Sequence, residues 1–223
     1  MTARPALRLT RRQALITGVA SMALPTSTAN ASSGPSSSGR QPRFDREQFV
    51  SDCQAAALES DAQAAVSEVL ARAVSTPDAV LRALGEPSRA GLDVLVASPT
   101  LTIFAAHWTP NMTLLPHDHA MWASIGLYTG REDNILWRRG PEGIRATGAQ
   151  CLFAGDVARL PDSVIHSVTN PLPRFTAGLH IYGGDFFAAE RHQWEPETLE
   201  EGPSDGAAIA ALFEAENQRL GLN

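Results

Sequence analysis

The chain contains no lysine: all 18 of its basic residues are Arg. That absence excludes chemistries that need an ε-amino group, among them a Schiff-base cofactor lysine, a P-loop lysine and a Ser/Lys nucleophile pair. Cysteine is nearly absent as well. Two residues, Cys53 and Cys151, cannot build a disulfide scaffold, and no CxxC pair is present to hold zinc. Positive charge is scarce where it would be needed for polyanions. Against 18 Arg stand 24 Asp and Glu, for a net charge of −6. Four of the Arg fall in the first 31 residues, which carry no acid, so the remainder is more acidic still. Such a domain repels phosphate backbones and anionic membrane surfaces, because nucleic-acid affinity rests on neutralising phosphates. Small molecules are the expected partners. At 223 residues and 43% hydrophobic composition, one substantial core is expected.

The N-terminal residues 1–31 read as an address. Arg11 and Arg12 stand directly before the apolar stretch from Ala14 to Leu24, and Ala29-Asn30-Ala31 offers a small-residue cleavage site. The apolar stretch is too short to span a bilayer as an anchor, and no Cys follows it to take a lipid. The paired arginines resemble a twin-arginine signal, read by the machinery that exports folded proteins. An ordinary secretory signal is the alternative. Either way an exported protein, periplasmic or extracellular, is expected after cleavage near Ala31. Residues 32–43, rich in Ser, Gly and Pro, read as a flexible linker, and residues 44–223 as a single domain.

Within that domain the pattern is first helical. Over residues 45–86 Phe49, Val50 and Cys53, then Val66, Val69, Leu70 and Val74, recur at three- and four-residue steps. Thr76-Pro77-Asp78 reads as a helix start and Gly85 as its stop. From about Val94 to residue 185 short β-rich runs take over, punctuated by Gly and Pro: 101–108, 122–128, 134–137, 157–160, 164–168 and 175–182. This spacing predicts an all-β barrel or sandwich. Residues 205–220 predict a closing amphipathic helix, stopped by Gly221.

The chemistry concentrates in PHDHAMWASIGLYTGRE, residues 116–132. On a strand, residues two apart face the same way, so His117 and His119 present two imidazoles to one side while Asp118 points to the other. His166 offers a third imidazole on a strand introduced by Pro161. Gly178, His180 and Tyr182 share one face of a later strand, toward the same interior. Other candidates read as structural: Trp122 and Trp137 as core aromatics, His107 as a packed histidine, and His192 as pointing away from the pocket. An ion pair with Asp185 or Glu190 is the competing reading of Arg191.

The two stretches together resemble the paired motifs of the cupin superfamily. His117, His119 and Gly130 fit the first motif, with Ala123 at its usual Glu position; Gly155, Pro161, His166 and Asn170 fit the second, with Ser163 in place of a Gly. The resemblance implies a mainly β fold, a cupin double-stranded β-helix barrel with N-terminal helices and a C-terminal helix. The flanking runs IHSVTN and LHIYGGDFFAAERHQW are similar to the cysteine dioxygenase type of cupin, and most to its bacterial 3-mercaptopropionate dioxygenase branch. That similarity implies a mononuclear non-haem Fe(2+) held by His117, His119 and His166, with dioxygen as co-substrate and a small thiol carboxylate oxidised to its sulfinic acid. It further implies that His180 and Tyr182 are the last two members of a Ser-His-Tyr relay, and that Arg191 binds the substrate carboxylate.

Two departures carry consequences. Gly178 stands where the relay has Ser, so a water or a backbone carbonyl is expected to orient His180 instead. Ala123 stands where animal cysteine dioxygenases have the Cys that crosslinks to Tyr, so no thioether is expected. The same three His on Zn(2+) would make a hydrolase or hydratase, since zinc acidifies bound water. A non-catalytic cupin binding a metal or small ligand is the third reading.

Overall fold

The computed structural model describes residues 43–222. The expected signal sequence over 1–31, the expected cleavage near Ala31 and nearly all of the expected 32–43 linker lie outside the described residues.

Three helices open the chain: α1 (Arg46–Ala56), α2 (Ala62–Val74) and α3 (Pro77–Leu84). Asp45 starts α1 by accepting from the Gln48 amide at 3.0 Å, and Asp61 starts α2 by accepting from the Ala64 amide at 3.0 Å. Each replaces a partner that the first helical turn lacks. Thr76 occupies the position before α3 but makes no side-chain capping bond; Pro77, fixed in φ, begins that helix. Gly85, at φ +92°, ends it.

Eleven strands follow among the described residues. They are β1 (Gly91–Ala97), β2 (Thr102–Trp108), β3 (Thr113–Asp118), β4 (Ala123–Thr129), β5 (Arg131–Gly140), β6 (Gly143–Phe153), β7 (Val157–Leu160), β8 (Ile165–Thr169), β9 (Thr176–Tyr182), β10 (His192–Trp194) and β11 (Glu201–Pro203). Helix α4 (Gly206–Arg219) closes the chain, capped by Asp205. The long β6, with most of its residues exposed, lacks the apolar run that marks the other strands in the sequence.

The strands form two antiparallel sheets, ordered β1-β2-β9-β4-β7 and β11-β10-β3-β8-β5-β6. From β2 to β9 the chain crosses between sheets at every connection except the β5–β6 hairpin. That gives four inner strands per sheet, β2-β9-β4-β7 facing β3-β8-β5-β6, which is the double-sheet jelly roll of a double-stranded β-helix. The expected fold class is the one observed.

The central strands of the five-stranded sheet, β2, β9 and β4, are buried on both faces. Phe104, Ala106, Trp108, Ile125 and Leu127 point into the barrel, while Ile103, Ala105, Tyr128, Leu179 and Ile181 meet the helices. Helix α2 lies so close that a Cβ on Gly126 would come within 2.7 Å of the Leu70 side chain, so only glycine fits there without repacking. Gln63 of α2 ties β4 to β7, donating to the carbonyls of Ala123 and Leu160 at 2.9 and 2.8 Å. Gly130, at φ +77°, turns the chain from β4 into β5, where any side chain would collide with Thr176.

Candidate metal centre

Strands β3 and β8 are paired so that His117 lies opposite His166. The bulge between Leu114 and His117 re-aims the end of β3 toward the barrel interior. His119 is not on the strand. It lies just past Asp118, and the next residue, Ala120, has φ 55°, a left-handed conformation that is costly for a residue with a Cβ. The two-residue spacing still brings both rings together, but a bent strand end achieves it rather than a straight strand.

The three rings converge. His119 Nε2 is 3.3 Å from His117 Nε2 and 3.0 Å from His166 Nε2, and one nitrogen of each ring lies within 4.8 Å of the others. Their far sides fix the tautomers. His117 Nδ1 donates to the Leu115 carbonyl at 3.0 Å, and His166 Nδ1 donates to Asn134 Oδ1 at 2.6 Å, which leaves both Nε2 lone pairs aimed at the common centre. Burial pushes His117 down to about 4, against the pull of the Leu115 carbonyl. Burial and the neighbouring imidazoles hold His119 and His166 well below their ordinary value. Three neutral nitrogens this close repel one another unless a cation lies between them. A divalent ion bound at about 2.1 Å to three nitrogens on one face of an octahedron needs separations of about 3 Å, so the residues present fit a metal.

His180 and Tyr182 project from β9 into the same interior, both buried. His180 Nδ1 is 3.3 Å from the Tyr182 hydroxyl. On the other side of the His180 ring stands a residue that the sequence reading passed over, Glu132 of β5, whose Oε2 is 3.6 Å from His180 Nε2. Glu132 is fully buried, accepts from Trp108 Nε1 and Asn134 Nδ2 at 3.0 Å each, and has Asn134 between it and His166. Burial raises its pKa, but the contacts with His180, Asn134 and Trp108 outweigh that and hold the carboxyl below its usual range. Among the described residues no backbone carbonyl bonds His180 Nε2 where the Ser hydroxyl is missing; a carboxylate stands near it instead. A Cβ on Gly178 would sit 3.5 Å from His180 Nε2, and the nearest charged group to that nitrogen, Glu132 across the barrel, stands at ion-pair distance without a hydrogen bond. The negative charge of Glu132 beside Nε2 favours a proton on that nitrogen, the tautomer in which Nδ1 can accept from the Tyr182 hydroxyl. Burial, then the charge of Glu132, push the Tyr182 phenol up, so it stays protonated.

Arg191 lines the same cavity. Its guanidinium carbon lies 3.9 Å from the centre of the Phe186 ring, and its buried Nε has no hydrogen-bond partner. Among the described residues no carboxylate comes within ion-pair distance of it, so the competing pairing with Asp185 or Glu190 is not formed. The remaining candidates are structural. His107 Nε2 meets the Tyr128 hydroxyl at 3.1 Å. His192 is exposed and bonds Asp118 at 3.1 Å, and Trp137 donates to Ser167 at 3.1 Å. Trp122 precedes β4, where its ring fills the space a side chain on Gly183 would need. The amide of Asn170, the last residue of the second motif, donates to the carbonyls of Thr109 and Arg174 and so anchors the end of β8.

No family model matches the chain, and no curated protein does. Solved structures do. A conserved protein with a double-stranded β-helix domain from Klebsiella pneumoniae subsp. pneumoniae is 16% identical, with a TM-score of 0.40, over 51% of this chain and 87% of that one. An RmlC-like cupin family protein from Methanocaldococcus jannaschii is 10% identical, with a TM-score of 0.38, over 46% of this chain and 85% of that one. Bacillus subtilis oxalate decarboxylase, which has Mn(II) centres, is 20% identical, with a TM-score of 0.34, over 40% of this chain and 22% of that one.

Proposed function

We propose that the protein is a mononuclear non-haem iron thiol dioxygenase, adding both atoms of dioxygen to the sulfur of a carboxylated thiol to give its sulfinic acid. The observation that carries this reading is the donor set. Three neutral imidazoles converge with no carboxylate among them, and two of them, His117 and His166, line one cavity with Tyr182 and the unpaired Arg191. A ferrous ion held by His117, His119 and His166 would keep its full charge, favour an anionic thiolate as co-ligand, and supply the electrons that activate dioxygen.

The chain's own groups supply the rest. Arg191 offers parallel donors to a carboxylate, which fixes the thiol end toward the three histidines. The Tyr182 hydroxyl holds a proton at the cavity wall, His180 receives or returns it at Nδ1, and Glu132 stabilises the imidazole when it carries charge. The arrangement is a Glu-His-Tyr relay. Asn134 joins the same carboxylate to His166, so one buried anion orients both the relay and a metal ligand. The twin-arginine pattern at Arg11 and Arg12 places this reaction outside the cytoplasm in our reading.

Dioxygen uptake and sulfinate formation by the ferrous-loaded full chain, assayed with a panel of thiol acids, test the assignment. Uptake abolished in His166→Ala supports it. Uptake no greater than in that variant, with zinc found in protein isolated without added metal, turns the reading to the hydrolase or hydratase.

A further inference from the structure

The cavity that reaches His117 and His166 is far larger than a thiol acid of propionate size requires. It encloses about 400 Å³, within the range of about 300–1,000 Å³ that buries drug-sized ligands. Its lining is mainly apolar, with Arg89, Ser204, Glu214 and Asn217 as polar groups away from the histidines and Tyr182. The hydrocarbon comes from four elements: Leu92 of β1, Phe104 of β2, Leu114 of β3, and Ile209 and Phe213 of α4. Of the charges along it, Arg89 is neutralised by Glu214 at 3.0 Å, while Arg191 is unpaired and stacked on Phe186, where charged head meets apolar wall. A propionate-sized ligand would leave most of this volume to water that faces carbon and finds no partners, an unfavourable arrangement.

From this geometry we propose that the ligand of this site is a carboxylic acid with an alkyl or aryl body well beyond propionate size. Its carboxylate lies on Arg191 and its body runs along the wall that α4 completes. The proposal rests on the reading of Arg191 as the carboxylate anchor and names the substrate class of the proposed thiol dioxygenase. Helix α4 is then part of the binding site as well as a closing element of the fold.

Calorimetric titration of the full chain with thiol-free acids tests it without any turnover. Propionate, hexanoate and 3-phenylpropionate should bind in rising order. Each methylene buried is worth up to about fourfold in affinity, so hexanoate, three methylenes longer, should exceed propionate by about tenfold to sixtyfold. Ile209→Trp, on the half-buried face of α4, should fill the cavity and flatten the series, and Arg191→Gln should weaken every member. A flat series in the unsubstituted protein overturns the proposal whatever the variants do. A rising series with no dioxygen uptake on the matching thiols, in ferrous-loaded protein, sinks the dioxygenase reading and leaves the ligand class standing. Uptake with thiol acids irrespective of their size does the reverse.

Discussion

Strand β9 is buried on both faces, and the two faces obey different rules. Ala177, Leu179 and Ile181 look outward to α2 and its neighbours, into a dry seam where Gly126 and Leu70 nearly touch. Gly178, His180 and Tyr182 look inward. The outer face is saturated, with Ser67 and Ser124 bonded to each other at 2.8 Å and Gln63 bonded to two carbonyls. On the inner side, His119 Nδ1, His180 Nε2 and Arg191 Nε are buried without a hydrogen-bond partner, and among the described residues no other buried side-chain nitrogen or oxygen is in that state. Folding leaves a buried polar atom unmatched only at a cost, so the cluster of such atoms marks where stability has given way to chemistry.

Four experiments separate the two faces. The largest effect is expected inside. His166→Ala should weaken metal binding by more than the roughly 10–100-fold that losing an outer partner costs, read by metal analysis of the purified protein. A variant that still holds one equivalent would break the comparison.

Outside the barrel, Leu70→Ala opens a cavity in a fully buried seam. It should cost about 2–5 kcal/mol in urea denaturation and leave turnover per folded molecule unchanged. Turnover that falls with stability would mean that the helices position the site.

Glu132→Gln is next. It keeps the shape and removes the charge, and should lower turnover about 10–100-fold. Adding Gly178→Ser should recover part of that loss, since the new hydroxyl falls beside His180 Nε2. Loss without recovery would leave Glu132 a packing residue only.

The last test is in pH. In metal-free protein His117 is held down to about 4 in the fold, against 6.5 when free, so the unfolded chain takes up protons first. Nothing is lost above 6.5, and stability falls as the pH drops from there toward 4. Glu132, held below its ordinary 4.5, loses its contribution as the pH falls further through its folded value. Thermal melts between pH 8 and pH 4 should slope downward with acid, and a flat profile would contradict the burial argument.

Much of this was legible in the sequence, and the rest was hidden for reasons that can be named. The runs that became β2, β4, β8 and β9 carry apolar residues on both faces and are bounded by Gly or Pro, so local pattern sufficed. The histidines stood out because ligand spacing is local, and His180 and Tyr182 because period two is local too. Glu132 did not. It lies in the charged run Arg131-Glu132-Asp133-Asn134, which has no apolar residue to mark an inner face, and only the pairing of β5 with β8 carries it inward. The available hint was that Glu132 and Asn134 are two apart, hence on one face. The residue nearest the gap at Gly178, Glu132, comes from across the barrel, where nothing along the strand points to it. Helix α4 was expected, but its place against the cavity depends on contacts far along the chain.

The two cysteines are both free, Cys53 sealed in the seam between helices and sheet and Cys151 exposed on β6. Burial pushes the Cys53 thiol up to about 12, so it has almost no thiolate at neutral pH. No covalent crosslink maintains the described domain. Reductants used to keep a mercaptan fresh on the bench should therefore leave this protein folded, and an alkylating label should find Cys151 while sparing Cys53.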